Sequence, residues 1–279
     1  MTDCPLVSVV IPVFNGEPFL RQALDSVLSQ SYPNIEIVIT DGGSTDGSKQ
    51  WLENYSEHEV VKGYLPPGNG AAANWTLACQ LSSGKYVKLL CQDDLIYPDA
   101  IALQVKDLCE NPTARIAFAQ RDIIDANGKL LSRARGCQGL GVGMVPGKTA
   151  LRAAFLAGTN IFGEPEAVLF ERAAMLESLP WTDSEPFLLD MLFYSKILTN
   201  YPAAVRKESI GAFRVSSSSW STRLVREHRR QFRSWQRQTA TVLGKVSLWE
   251  QTVAFLNTEK TTQLRRAVYT WLRIRKSMD

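Results

Sequence analysis

Hydrophobic positions come in short dense runs separated by turn residues. Leu6–Phe14 (LVSVVIPVF) is one unbroken apolar run rich in Val and Ile, the pattern of a strand buried on both faces. After Asn15-Gly16 the apolar positions change to helical spacing, and Leu20, Leu24, Val27 and Leu28 share one face of EPFLRQALDSVLSQ. A second strand, IEIVITD, ends at Asp41, where a Gly-rich turn and a Ser/Thr/Asp cluster start another helix. Val60–Leu65 gives a third short strand, GNGAAANWTLACQLSSG a loop and a helix ending near Gly84, and KYVKLLC a fourth strand. Strands alternating with helices predict an α/β protein, a mostly parallel sheet flanked by helices on both faces. In such sheets ligands bind beyond the carboxyl ends of the strands. Phe14, Asp41 and Asp93 all follow such ends, so three distant segments converge on one crevice.

The middle of the chain is less regular. RIAFAQRDIIDANGKLLSRARG reads as strands around the Asn127-Gly128 turn, KTALRAAFLAG as a helix, and EAVLF as a short strand before a helix from Glu171. PFLLDMLFYSKIL (Pro186–Leu198) is an apolar helix carrying one acid, Asp190, and from Trp220 the pattern is helical to the end. No linker divides residues 1–215. The expected organisation is one α/β domain over 1–219, with a first half to about residue 100 and a second half over 101–219, followed by a basic amphipathic helical extension over 220–279.

Charge sharpens that division. The 279-residue chain has a net charge of +3, but from Thr222 onward 13 Lys/Arg stand against four Asp/Glu, a net of +9, leaving −6 on residues 1–221. In the extension, Leu224, Phe232, Trp235 and Val242 share one face and Arg226, Arg230, Arg233 and Arg237 another. Two readings fit: a helix packed on the α/β domain with a solvated basic face, or a helix in peripheral contact with an anionic membrane surface. No recognition motif accompanies the arginines, so no nucleic acid partner is expected. No run of 18 apolar residues suggests a membrane-spanning helix. The N-terminal apolar run is short and lacks a preceding basic segment, so a cytoplasmic location is expected, at most peripheral at the inner face of the membrane. Five widely spaced cysteines suggest reduced, mostly buried thiols, and two histidines leave little material for a histidine triad or a zinc site.

The stretch LLCQDDLIYPDA carries the most pointed chemistry. An apolar strand ends in two adjacent carboxylates, Asp93 and Asp94, which repel each other unless a positive charge lies nearby. Mn²⁺ or Mg²⁺ takes one or two carboxylates together with substrate phosphates, so a metal-held diphosphate explains the pair; a solvated turn before the next helix is the plainer alternative. Asp41 can accept hydrogen bonds from a base or ribose, or it can belong to a strand–turn–helix junction. The first strand ends in PVFNGEPF and not G-x-G-x-x-G, which argues against a dinucleotide-binding dehydrogenase. Gly147-Lys148-Thr149 has Val142 where a phosphate loop needs glycine, and reads as a helix start. Asp190 sits among Phe187, Leu188, Leu189, Met191, Leu192 and Phe193, so it must find a partner, face a cleft or become neutral.

SVVIPVFNGEPFLRQALDSVLSQSYPNIEIVITDGGSTDGS resembles the N-terminal half of family 2 glycosyltransferases, which have the GT-A fold, and PGNGAAANWTLACQLSSGKYVKLLCQDDLIYPD continues the resemblance. It extends more loosely through GTNIFGEPEAVLF, PFLLDMLF and FRVSSSSWS, covering about residues 5–221. The resemblance implies that Pro12, Val13 and Phe14 line the nucleotide pocket and that Asp41 contacts the base. Asn69 and Asn74 border the nucleotide and sugar, Asp93 and Asp94 hold the metal and ribose–diphosphate, and Asp190 is the general base. Cys91 replaces the first acid of a D-x-D-D pattern, Gly42 stands where many relatives have a second acid, and Ser216 replaces a histidine found near the metal. The implied function is inverting transfer of a sugar from a nucleotide-diphosphate donor to a hydroxyl of a glycan or lipid-linked acceptor, in bacterial cell-surface polysaccharide biosynthesis. The alternatives are a sugar-nucleotide binding protein that has lost catalysis, to which Cys91 and Ser216 point, and a nucleotidyltransferase, which normally needs a Gly-rich basic loop after the first strand.

Overall fold

The structure, a computed structural model, describes residues 4–216 and 219–274, the side chains of Ser221 and Arg273 excepted. Its first hundred residues alternate β1 (Val7–Val13), α1 (Leu20–Leu28), β2 (Ile35–Asp41), α2 (Ser48–Asn54), β3 (Val61–Tyr64), α3 (Gly70–Gln80) and β4 (Tyr86–Leu89). β5 (Leu95–Ile96), α4 (Ala100–Glu110), β6 (Ile116–Asp125), β7 (Leu130–Arg135), β8 (Gly143–Val145) and α5 (Gly147–Ala157) follow. Then come β9 (Val168–Glu171), α6 (Arg172–Ser178), α7 (Leu189–Asn200), β10 (Ala203–Val215) and the terminal helices α8 (Trp220–Arg223), α9 (His228–Leu243) and α10 (Leu248–Ile274).

One sheet runs through the molecule in the order β3-β2-β1-β4-β9-β6-β10-β5, with β7 on β6 and β8 on β10. β3, β2, β1 and β4 are parallel. β9 is antiparallel to both β4 and β6, and β10 is parallel to β6. Six strands therefore point their carboxyl ends to the same edge. The reversed β9 brings its amino end there, and with it the loop that precedes it.

Every residue of β1 is buried, because helices cover both faces of the sheet. Successive side chains separate cleanly: Val7, Val9, Ile11 and Val13 pack with α1 and α4, and Val10 packs on the opposite layer with α3, α5 and α7. Gly147 starts α5 for a packing reason, since a Cβ there would lie 2.0 Å from the Leu198 carbonyl oxygen.

The terminal helices share this second layer. Phe232 and Trp235 of α9 are fully buried, clustered with Phe193 of α7 and Ala254 of α10. The apolar face of α9 is thus turned to the body. Its arginine face is largely paired: Arg230 meets Glu185 and Glu227, and Arg233 shares Glu259 of α10 with Arg229. The exposed apolar surface lies instead on α10. The cysteines are less buried than their spacing suggests: Cys79 and Cys137 are buried, Cys91 partly, and Cys4 and Cys109 are exposed.

Candidate active site

β1 and β4 are neighbours although β2 and β3 intervene in sequence, so chain connections leave this point of the sheet in opposite directions. Such switch points open a crevice beyond the strand ends. A cleft of about 680 Å³ opens there, lined at one end by Phe14, Gly42 and Asn74, centrally by Cys91–Asp94, and at the other end by Asn160, Glu164 and Asp190.

The first end is shaped by backbone and tied by side chains. The Gln92 amide bridges the tips of β1 and β4: Phe14 N–H donates to its Oε1 (2.7 Å), and its Nε2 donates to the Phe14 carbonyl (2.9 Å). This leaves the Phe14 ring half exposed in the cleft. The Val13 carbonyl accepts from Gly42 N–H (2.8 Å) and from Asn74 Nδ2 (2.9 Å). A Cβ on Gly42 would come within 2.9 Å of Asn74 Nδ2, so the asparagine occupies the room a second acid would need. Asn15 adopts a positive φ of 52° and its Oδ1 accepts from Thr45 N–H (2.8 Å), fastening the β1–α1 loop to the β2–α2 loop.

Of the donor-side residues singled out in the sequence, Pro12, Phe14, Asn74, Asp93 and Asp94 reach the cleft. Val13, Asp41 and Asn69 are not in its lining. Asp41 is buried; its Oδ1 accepts from the amides of Gly43 (2.9 Å) and Ser44 (3.0 Å), and its Oδ2 has no partner among the described residues. Asn69 caps a turn by donating to the Pro66 carbonyl (2.7 Å).

The paired acids at the centre are balanced from β10. Arg214 donates its backbone N–H to Asp94 Oδ1 (2.8 Å), and its guanidinium Nε donates to the Asp93 carbonyl (2.8 Å). The remaining donors of the guanidinium go to Ala126 O and Gln22 Oε1, and Phe19 lies under it at 4.6 Å. Asp93 Oδ2 accepts from Ser219 Oγ (3.2 Å), so Ser219, three residues beyond Ser216, is the hydroxyl that meets this carboxylate. Removal from water raises both carboxyls above the usual range, and for Asp94 the charges of Glu166 and Asp93 add to it. Asp94 Oδ2 is buried with no partner among the described residues.

Asp190 is the second residue of α7 and faces the far end of the cleft. Its Oδ2 accepts from Asn160 Nδ2 (2.8 Å). Asn160 is oriented for this because its own oxygen accepts from the amides of Phe162 (2.9 Å) and Gly163 (3.2 Å). Burial, reinforced by the charge of Glu164, pushes the Asp190 carboxyl up to about 7. Glu164 in turn forms a short ion pair with Arg121, whose Nε lies 3.8 Å from Glu166. Behind them, the Lys88 ammonium donates to Gln104 Oε1 (2.7 Å) and to the carbonyls of Glu166 and Val168. Asn160, Glu164, Arg121 and Arg214 are the site residues that sequence reasoning missed. The two glutamates belong to the GEPE stretch before β9, and only the antiparallel pairing of β9 brings that stretch to this edge.

Among the described residues, no cluster of three His, Cys, Asp or Glu is arranged to hold a metal ion. The donors present still suit a hard cation that keeps part of its shell for substrate oxygens: two adjacent carboxylates, one with a buried orphaned oxygen.

The sequence model of the family described as "Glycosyl transferase family 2" matches residues 8–175. An uncharacterised glycosyltransferase of Rickettsia bellii is 33% identical over 135 residues, which is 48% of this chain and 20% of that protein. The chain spans less than half the length of the first curated relatives it matches. Among solved structures, S. aureus TarS 1-349 in complex with UDP-GlcNAc superposes with a TM-score of 0.63 at 17% identity, covering 91% of this chain and 79% of that one. The mannosyltransferase PcManGT from Pyrobaculum calidifontis, in complex with GDP-Man and Mn²⁺, gives 0.59 at 18% identity, covering 98% and 81%. Both likenesses establish the GT-A fold.

Proposed function

From the premise that the chain belongs to glycosyl transferase family 2, we propose that it transfers a sugar from a nucleotide-diphosphate donor to an acceptor hydroxyl, with inversion at the anomeric carbon. The observation that carries this reading is the placement of Asp190. It is a half-buried carboxyl pushed up to about 7, at the opposite end of one cleft from Phe14 and Asn74, with Asp93 and Asp94 between. A base poised near the working pH is suited to general base catalysis. In the proposed reaction Asp190 takes the proton of the acceptor hydroxyl. The freed oxygen forms a bond to the anomeric carbon, and the bond from that carbon to the diphosphate breaks on the opposite side, its electron pair leaving with the nucleoside diphosphate. Asn160 holds the carboxylate in line, and Phe14 and the Val13–Gly42 backbone seat the nucleotide.

Asp93 and Asp94 would hold a divalent cation together with donor phosphates, and Mn²⁺ or Mg²⁺ there would neutralise charge developing on the diphosphate. UDP-GlcNAc and GDP-Man, the ligands of the two structural neighbours, are the first donors to screen. Melting temperature, read with and without Mn²⁺, should rise with the true donor. Donor binding without hydrolysis or transfer over a broad acceptor panel would favour a sugar-nucleotide binding protein instead. Bacterial cell-surface polysaccharide biosynthesis is the process such a transferase would serve.

The extension supports a peripheral place at the inner face of a membrane. Trp249, Leu256, Leu264, Trp271 and Ile274 project from one side of α10, between 46% and 77% of their surface being exposed for each of them. Lys260 and Arg266 also lie exposed on this helix, in a region of net +9. An apolar strip with basic residues suits an anionic lipid surface. No helix among the described residues is long and apolar enough to cross a membrane. Binding to vesicles containing phosphatidylglycerol, lost in a Trp249→Ala/Trp271→Ala variant, is the expected result. A lipid-independent dimer that the same variant dissociates would assign the strip to a second copy.

A further inference from the structure

The far wall of the cleft is built by the terminal helices: Arg223 of α8, His228 of α9 and Arg265 of α10 all reach its lining, beside Phe187. The helical extension therefore carries part of the candidate active site, at the end where Asp190 sits.

Arg265 differs from the other arginines around the cleft. Arg121 is consumed by Glu164 and Glu166, and Arg214 by carbonyls and Gln22. The Arg265 guanidinium lies over the Phe187 ring, 5.6 Å from its centroid, and donates once, to Thr159 Oγ1 at 3.3 Å. Among the described residues it has no carboxylate partner within ion-pair distance. A guanidinium has five N–H donors in a planar fork that matches a carboxylate or phosphate, so most of its capacity remains open toward the cleft. Its charge reaches Asp190, which places it at the acceptor end.

His228 supplies a second, independent sign. It is 1% exposed, packed between Phe187 and Phe232, and its Nε2 has no partner among the described residues. Its Nδ1 lies 2.9 Å from Thr262 Oγ1, whose own proton goes to the Thr258 carbonyl (2.8 Å). Nδ1 must then be the protonated nitrogen, which leaves the Nε2 lone pair as an unused acceptor in the lining of the same cleft. An open cationic fork beside a buried, unpartnered acceptor matches a group that carries both negative charge and a hydroxyl.

We propose that Arg265, assisted by Arg223 and His228, forms an acceptor subsite for an anionic group, a phosphate ester or a sugar carboxylate. The acceptor is then an anionic glycan or glycosyl phosphate, held so that a neighbouring hydroxyl faces Asp190. This deepens, and rests on, the reading of the cleft as a transferase site.

Glycerol 3-phosphate, D-glucuronate and glucose, titrated calorimetrically into the full chain with and without saturating UDP and Mg²⁺, test it. The expected result is that an anionic probe binds in the presence of UDP and glucose does not. Whichever anion binds more tightly separates phosphate from carboxylate. Arg265→Gln should weaken that probe by about tenfold or more, and Arg265→Lys should restore part of the phosphate binding, with UDP affinity within about twofold in both. Equal probe binding by the wild type and Arg265→Gln, binding of glucose as tight as that of the anions, or no anion binding in a protein that binds UDP would overturn the subsite. Absence of UDP binding would count against the donor reading, while the Arg265 comparison in the titrations without UDP would still decide the subsite.

Discussion

The two ends of the cleft are built by different physics. At the Phe14 end, parallel strands with continuous apolar runs deliver backbone to the edge, and neutral side chains, Gln92, Asn74 and Asn15, tie the loops together. At the Asp190 end, the sheet is mixed and the shape depends on buried charge: Glu164 and Glu166 on Arg121, with Lys88 behind them. Neutral ties lose little when one is cut, because the backbone remains in place. Buried charges stand or fall together, since removing one leaves its partner uncompensated in a low-dielectric site. The Phe14 end should therefore tolerate single changes that the Asp190 end does not.

The largest expected effect is at Asp190. Asp190→Asn keeps the size and the contact with Asn160 but cannot take a proton, so transfer should fall by about 10²–10⁴, with nucleotide affinity retained. Comparable turnover in the variant would remove the proposed base. Next comes Arg121→Met, which takes the guanidinium from half-buried Glu164 and fully buried Glu166 and should lower stability by about 3–5 kcal/mol, read by urea unfolding. A loss under 1 kcal/mol would erase the contrast between the two ends.

The pH profile follows from the raised Asp190 carboxyl. A base acts when deprotonated, so the transfer rate should climb about tenfold per unit up to about pH 7 and then level off. A profile flat from pH 5 to 8 would show that no group of this pKa governs the chemistry. Smallest is Asn74→Ala at the Phe14 end. The Val13 carbonyl keeps its bond from Gly42 N–H, so the loss should be about 1 kcal/mol, and a loss matching that of Arg121→Met would contradict the comparison.

Legibility in the sequence follows the same divide. β1, β2 and β4 are readable because a strand covered on both faces must be apolar throughout, and their ends locate Phe14 and the Asp93-Asp94 pair. Asp190 is readable because an acid among six apolar residues needs an explanation. β10 is not: it carries Arg206, Lys207 and Glu208 where its register against β6 slips, so neither a run nor an alternation marks it. With β10 hidden, Arg214 had no evident role. Asn160 and Glu164 lie in a loop whose position depends on the reversed strand β9, a long-range pairing that no local pattern announces. The exposed strip on α10 is likewise obscured, because Lys260 and Gln263 interrupt it in sequence and only the packing shows which side of the helix stays outside.

The central claim is that one cleft seats a nucleotide diphosphate at Asp93 and Asp94 and a base at Asp190. Calorimetric titration of UDP and GDP, each with Mn²⁺, into the wild type, Asp93→Ala and Asp190→Asn proteins tests it most directly. The account predicts that one nucleotide binds the wild type and Asp190→Asn with similar affinity and Asp93→Ala at least about tenfold more weakly. Equal binding by all three proteins would contradict it.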